Sequence, residues 1–465
     1  MGKNKDFWGV EFRLFLTIWV IYLFFISTYG GSYIAESAIH QTMSIVDHGS
    51  FEVDDYMKEG CKVSGCDYSF YKGHFYSGFA PGISFLVIPF YIITKAIMPF
   101  LFFAGYTQNQ VATTIVIILS AIFLFSLFST LTSVLVYKFV SQITKNKKHR
   151  LIIPFIFSFG TLFFVYSTGF YPRIVSTLLV FLSFYLLFKF KKEKSNNLLL
   201  FIAGFCSAFA VTIDFPQIIT LGLLFLYLIS FDRSKNIFYF LLGVAIPLIF
   251  LTIYNYMVYD SLSPSSYTYR ARMTQEMSYN TLEYGASLPS LDKAISFLFS
   301  LKYGLFTYMP ILFISIFGFW FGIKNKEYSK EMLLFLFIAI AQFLFYISYT
   351  VLDPCSFGLR YLLPILPFLI IPIVFVLNKK IFTKSVIFLS SISVLVNFLG
   401  TSIYFGCVKE NLGYYFKTLI NRGVSSYTLT LISEKFIYLS DLTKTAITFT
   451  WVIFISLIIY FIWKK

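Results

Sequence analysis

Charge is scarce in this sequence: Asp, Glu, Lys and Arg make up 13% of 465 residues, about half the share of a soluble globular domain. Histidine (four) and cysteine (five) are scarce as well, and no Cys and His have the spacing of a metal site. There is no Walker A loop and no dinucleotide fingerprint, and no internal repeat or low-complexity tract stands out. These absences exclude a soluble enzyme, a zinc module and a nucleotide-handling domain.

Hydrophobic residues, by contrast, reach 58%, with 60 Phe and 34 Tyr. Apolar runs near twenty residues recur from end to end, each long enough to cross a hydrocarbon core of about 30 Å as a helix. They are too long and too weakly alternating for a transmembrane barrel. The expected fold class is therefore an all-α integral membrane protein, one polytopic domain over residues 1–465. Its basic excess, 37 Lys+Arg against 22 Asp+Glu, has to be read by placement and gives no reason to invoke nucleic acid.

The runs predict about twelve transmembrane helices: 12–28, 111–137, 151–169, 172–189, 197–213, 216–231, 237–256, 303–322, 331–349, 361–377, 381–402 and 445–462. The clusters "KNKKHR", "KFKKEK", "DRSK", "KNKEYSK" and "NKK" then share one side with both termini. That side holds 22 of the 37 basic residues but only 6 of the 22 acids, which assigns it to the cytoplasm. The expected localisation is the cell membrane, multi-pass. The N-terminal "MGKNKDFWGVEFR" with Leu14–Ser27 reads as a retained signal anchor. The apolar stretch 81–105 stays out of the count, because including it would invert every later loop. It carries Pro89, Pro99 and Lys95 and reads as a kinked helical segment in the outer leaflet.

Every large loop, 29–110, 257–302 and 403–444, then lies outside, and no cytoplasmic loop exceeds about fifteen residues. Any chemistry belongs to the outer face. Cys61 and Cys66 share the first loop, where they form a short disulfide or remain two free thiols. Cys355 and Cys407 are outward too. In the same loop "SYIAESAIHQTMSIVDHG" predicts an amphipathic helix with Glu36, His40 and Asp47 along one stripe, lying on the membrane with its acids toward a cleft. "FEVDD" brings Glu52, Asp54 and Asp55, hard oxygen ligands for Ca²⁺, Mg²⁺ or Mn²⁺ or simply a solvated acidic turn. No metal ligand is assigned, and a divalent cation stays open as cofactor.

A short acid-bearing helix after the first span resembles the GT-C class of polytopic glycosyltransferases, which includes protein O-mannosyltransferases (family 39-type) and lipid A aminoarabinose transferases. The class places an Asp-Glu pair at the head of this helix; Ala35-Glu36 stand here. "YKGHFYSGFAPGISFLVIPFY" resembles a branch pattern N-G-H-Y-Y-S-x-K-A-P-G, with Phe79 in place of its Lys. "STGFYPRIVSTLLVFLSFYLL", "AGFCSAFAVTIDFPQIITL", "YNYMVYDSLSPSSYTYR" and "SFGLRYLLPILPF" continue the likeness in order across most of 30–375. The resemblance implies transfer of a sugar from a polyprenyl-phosphate donor to a hydroxyl on a lipid, glycan or protein acceptor.

Such chemistry needs a base for the hydroxyl and cations for the departing lipid phosphate. Glu36 is the expected base, with Asp47 as second choice. Arg173 and Arg360, at the mouths of spans, are expected to grip phosphate or, alternatively, to snorkel to headgroups. His74 and Tyr76 in "GHFYSGFAPG" belong to the implied cleft rim and are expected to bind the donor phosphate or sugar, a structural role being the alternative for His74. Asp214 in "TIDFPQ" orients an arginine or binds a sugar hydroxyl, and Arg270, in a Tyr-rich loop, is apt for sugar or acceptor contact. Asp67 precedes the "YSFYKGHFY" stretch as a further acid or a helix cap. The alternative function is a transporter or flippase of a lipid-linked or amphiphilic substrate. That reading calls for ionisable groups deep in several spans. A polysaccharide polymerase or ligase would share the outer-face sugar chemistry.

The charge partition makes a direct prediction. In a chain stripped of its own cysteines, an impermeant thiol reagent added outside labels the Gln108→Cys variant and leaves Asn146→Cys unlabelled. Labelling of Asn146→Cys alone would invert the topology.

Overall fold

A computed structural model describes residues 9–27, 33–57, 67–100, 107–193, 196–263, 266, 269, 271–273, 279–281, 288–348, 356–403, 411–425, 429, 433 and 438–463. Helices dominate: α1 Val10–Phe24, α2 Tyr33–His48, α3 Gly82–Ile97, α4 Gln108–Ile143, α5 Lys147–Phe159, α6 Pro172–Glu193, α7 Asn197–Ile213, α8 Gln217–Phe231 and α9 Ile237–Tyr259. After these come α10 Leu291–Phe299, α11 Leu312–Ile323, α12 Ser329–Ser348, α13 Arg360–Leu377, α14 Lys380–Ser402, α15 Leu412–Arg422 and α16 Asp441–Trp463.

Among the described residues eight helical segments are long and apolar enough to cross a membrane. Seven coincide with expected spans; the eighth is Gly82–Phe100. Each of the other five expected spans contains helix, but shorter or broken. The stretch 151–169 stops at Gly160 and resumes only as Phe163–Tyr166, and 303–322 is divided into Leu305–Tyr308 and α11. Pro310 causes the second break, since it lacks the N–H that a continuing helix needs. Proline also acts in α13, where Pro364, Pro367 and Pro372 force alternation between 3₁₀ and α turns.

The all-α expectation needs one correction. Among the described residues two antiparallel strand pairs occur, the hairpin of β1 Tyr68–Tyr71 with β2 His74–Ser77 and the pair of β3 Ala271–Met273 with β4 Tyr279–Thr281. The first turns through Lys72 and Gly73, both at positive φ. That backbone matches the right-handed twist of a two-residue hairpin loop.

Specific contacts define two ends of the bundle. At one, Lys138 pairs with Glu11 at 3.2 Å, Lys191 with Glu331 at 2.5 Å, and Tyr328 Oη donates to the Gln142 carbonyl. At the other, the Ser27 N–H meets the Thr168 carbonyl and Tyr166 Oη that of Phe357. Between them the abundant phenylalanines interlock edge-to-face: Phe184 stands 4.7 Å from Phe335, Phe139 4.9 Å from Phe188 and Phe335 5.0 Å from Phe368. Such pairs stabilise beyond simple area burial.

Helix α4 is longer than a bilayer requires: at 36 residues it spans about 54 Å. Phe125, in its π-helical stretch, contacts Phe170 just before α6 begins, while Phe139 packs on Phe184 and Phe188. The second half of α4 therefore runs beside α6, and the first half overhangs the Thr168 end. Helices α2 and α3 pack against that overhang and run in the same direction as each other, Thr42 bonding the Ser84 carbonyl and Asp47 bonding Tyr91. α2 is consequently enclosed by α3 on one side and the first hairpin on the other. Its polar Ser37, His40, Gln41, Thr42 and Ser44 are buried and bonded, so it is an internal strut and not a helix floating on the surface.

Helices α7 and α9 approach most closely at glycines. A Cβ added to Gly204 would land on the Phe240 carbonyl, and one added to Gly243 on the Phe201 carbonyl. Small residues substitute for a hydrophobic driving force between helices in lipid. Gly204→Leu should lower the thermal midpoint in detergent, the overpacking costing about 1–3 kcal/mol. An unchanged midpoint would show that the pair yields without strain.

Candidate functional site

The Thr168 end carries a cleft built from three helix termini. Pro172 opens α6, where its missing N–H costs nothing, and sets Arg173 in the first turn. Asp214 closes α7 in an extended conformation, its N–H still bonded to the Ala210 carbonyl. Arg173 Nη2 lies 3.2 Å from Asp214 Oδ1, and Asp214 is only 3% exposed. Gln217 Nε2 donates to the other carboxylate oxygen at 3.0 Å. Thr220 bonds Gln217, and Gln342 of α12 reaches both Thr220 and the Pro216 carbonyl. The pair is thus held by a chain of buried amides and hydroxyls.

Arg360 enters from the third terminus, behind Gly358, whose φ of +62° makes the turn. It is 7% exposed, and its Nε has no hydrogen-bond partner. Among the described residues no carboxylate pairs with it. The Tyr361 ring lies under both guanidiniums, 4.8 Å from Arg173 Cζ and 5.7 Å from Arg360 Cζ. Ile34, Phe79, Tyr171, Arg173, Asp214 and Arg360 all line this narrow cleft. Two cations face one anion there, beside the N-terminus of α6, whose dipole favours negative charge. The arrangement suits a phosphate.

Next to it lies an apolar cavity of about 630 Å³ between α11, α12 and α13, lined by residues including Phe306, Trp320, Phe343, Leu362 and Leu369. Leu363, adjacent to one of its lining residues, faces the cleft.

The expected site residues divide. Arg173, Asp214 and Arg360, far apart in sequence, meet. Glu36 sits two residues from the cleft residue Ile34, toward the hairpin. There burial above all, then the charges of Glu36 and Asp67, push the Tyr68 hydroxyl well above its ordinary pKa. His40 Nδ1 meets that hydroxyl at 2.7 Å. Asp47, thirteen residues along α2 from Ile34, is about 20 Å of helix away. It accepts from Lys95 at 2.6 Å, Tyr91 at 2.6 Å and Tyr56 at 2.7 Å. His74 is on the exposed start of β2, 3.4 Å from Asp54. Tyr76 is buried against Tyr259. Arg270, Cys61, Cys66, Cys355 and Cys407 lie outside the described residues. Gln217 and Tyr361 were not anticipated. The first has a signal, three residues after Asp214 across a proline; the second only adjoins an arginine.

No family model matches this chain, and neither does any curated protein. Among solved structures, it is similar to the oligosaccharyltransferase of Archaeoglobus fulgidus, at 12% identity and TM-score 0.49 over 94% of this chain. It spans 60% of that protein's length. It is also similar to ArnT of Cupriavidus metallidurans, solved with undecaprenyl phosphate, at 11% identity and TM-score 0.47 over 97% of this chain and 76% of that one. At these scores neither likeness bears on activity.

Asp47 makes a testable case for an anchoring role. Burial would raise its pKa, but the bonds from Lys95, Tyr91 and Tyr56 outweigh it and hold the carboxyl below its ordinary 3.8. A lowered folded-state pKa stabilises the protein above the unfolded value and is lost as pH falls through the folded one. Asp47→Asn should therefore lower the thermal midpoint at pH 7, and the gap from wild type should close only in acid below about 3.8. A gap that persists unchanged there would assign the loss to packing.

Proposed function

We propose that this protein is a membrane glycosyltransferase that takes a sugar from a polyprenyl-phosphate donor and passes it to an acceptor hydroxyl at the outer face. The observation that carries the proposal is Arg360: a buried guanidinium beside the Arg173–Asp214 pair, with no carboxylate of its own among the described residues. A buried charge left unpaired is costly, and an anionic ligand would compensate it. A lipid phosphate meets both requirements of the place, its charge answering Arg360 and Arg173, its chain lying in the neighbouring apolar cavity.

In this reading the arginines stabilise the charge that grows on the phosphate oxygen as the sugar departs. Asp214 fixes the Arg173 fork, and Tyr361 supports both guanidiniums from below. Glu36, at the head of the helix that contributes Ile34 to the cleft, takes the acceptor proton. The cytoplasmic placement of both termini and the outward placement of 29–110 belong to the same proposal. The overhang of α4 supports it, because α2 and α3 both pack against that overhang.

Donor binding and turnover separate the roles. Arg360→Ala should weaken binding of a polyprenyl-phosphate sugar by about one to two orders of magnitude, since a charge-assisted hydrogen bond contributes about 1.5–3 kcal/mol. Arg360→Lys keeps the charge without the fork and should recover only part of the loss. Glu36→Gln should leave binding largely intact and cost about 10²–10⁴ in turnover. Unaltered binding in Arg360→Ala would make that residue a headgroup anchor. Substrate crossing without transfer in purified wild type would favour the transporter reading.

A further inference from the structure

The first hairpin holds a second cluster, assembled from residues that the sequence presents separately. Glu52 and Asp54 precede and open a 3₁₀ turn, Asp54–Tyr56, while His74 begins β2. One carboxylate oxygen from each acid and one imidazole nitrogen lie within 4.8 Å of one another. His74 Nδ1 is 3.4 Å from Asp54 Oδ2 and 3.5 Å from Glu52 Oε2.

These separations are long for charge-assisted hydrogen bonds, which run about 2.7–2.9 Å. They match another geometry: donor atoms bound at about 2.1 Å to one tetrahedral ion stand about 3.4 Å apart. The backbone holds the set in place. The Val53 N–H bonds the Phe75 carbonyl at 2.9 Å, the Phe75 N–H reaches Asp54 Oδ1 at 3.3 Å, and the Ser44 hydroxyl holds the Glu52 carbonyl. Lys72, two residues from His74, does not neutralise the acids, because its ammonium is 2.6 Å from Asp260.

We propose that Glu52, Asp54 and His74 bind a divalent first-row transition ion, Mn²⁺ or Zn²⁺. One nitrogen and two oxygens suit these ions, whereas Ca²⁺ and Mg²⁺ favour oxygen alone. Two carboxylates and a neutral imidazole balance the charge of the ion. All three side chains are roughly one-third to one-half exposed, so a fourth position stays open to water. The ion ties the turn after α2 to the hairpin whose second strand leads into Phe79 and the cleft.

Titration of the tag-free full-length protein in detergent tests this without any transferase assay. MnCl₂ is followed by loss of the free-ion EPR signal and ZnCl₂ by calorimetry. One ion per chain is expected, with Ca²⁺ unable to displace Mn²⁺. His74→Ala and Glu52→Gln should each weaken binding by more than about tenfold, the least that loss of a supporting group costs. Because both positions are exposed, the metal-free thermal midpoint should stay where it is. Wild type that takes up neither ion, or His74→Ala that binds like wild type, would overturn the site. So would a metal-free midpoint that falls in His74→Ala while wild type binds nothing, since the cluster is then an ion pair.

Discussion

A backbone that breaks inside a bundle must still satisfy its N–H and C=O groups, because lipid offers no water to do so. Here two breaks meet in one place. The chain leaves helix at Gly160–Leu162 and again at Pro310, and α14 crosses both. Ser393 Oγ accepts the Ile311 N–H at 2.9 Å, and Asn397 Nδ2 donates to the Tyr308 carbonyl at 3.0 Å. Gly358 fits against Leu162 and Tyr308, with Phe357 edge-on to the Tyr308 ring at 4.7 Å. Arg360 follows two residues later. The position of the cationic cleft thus depends on two polar side chains of a helix that is not among the elements lining it in the described residues.

The same economy governs the cleft itself. Each of its charges is introduced where a helix starts or stops: Arg173 at the start of α6, Asp214 at the end of α7, Arg360 at the start of α13. Helix termini leave backbone groups unbonded and therefore carry polarity anyway. Grouping charges there keeps the apolar middle of each helix free of ionisable side chains. Glu331, fully buried in the first turn of α12, follows the same rule at the opposite end, bonded to Lys191 and Tyr227. It ties α12 to α6 and α8 and does not mark a path through the bundle.

Hydropathy and charge made most of the helices legible, because span length and basic loops are one-dimensional properties. Breaks were less so: Gly160 and the α13 prolines interrupt helices without altering hydropathy. The Lys72-Gly73 turn was hidden in a stretch read as a cleft rim, since four-residue strands give too little alternation to register. At the site, Arg173, Asp214 and Arg360 were legible as charges stranded at span mouths. Their convergence depends on the packing of α6, α7 and α13, which no local pattern encodes. Asp47 shared a helical stripe with Glu36, yet a stripe fixes direction and not distance, and about 20 Å of helix separates Asp47 from Ile34. His74 and the "FEVDD" acids were legible only singly, because the hairpin joins them.

Phe79 gives the cleft its remaining character. Where the resembling pattern has a lysine, this chain places an aromatic residue in the lining that Arg173 and Arg360 share. A third cation would raise the charge to three against the single carboxylate of Asp214, and like charges repel more strongly in a medium of low dielectric. An apolar side chain does the opposite: it excludes water and strengthens the field that the existing pair exerts on an anion. The departure from the pattern is thus coherent with the geometry. In the proposed reading, anion recognition falls to the two guanidiniums that share the Tyr361 ring, and Phe79 adds an apolar side chain to the lining.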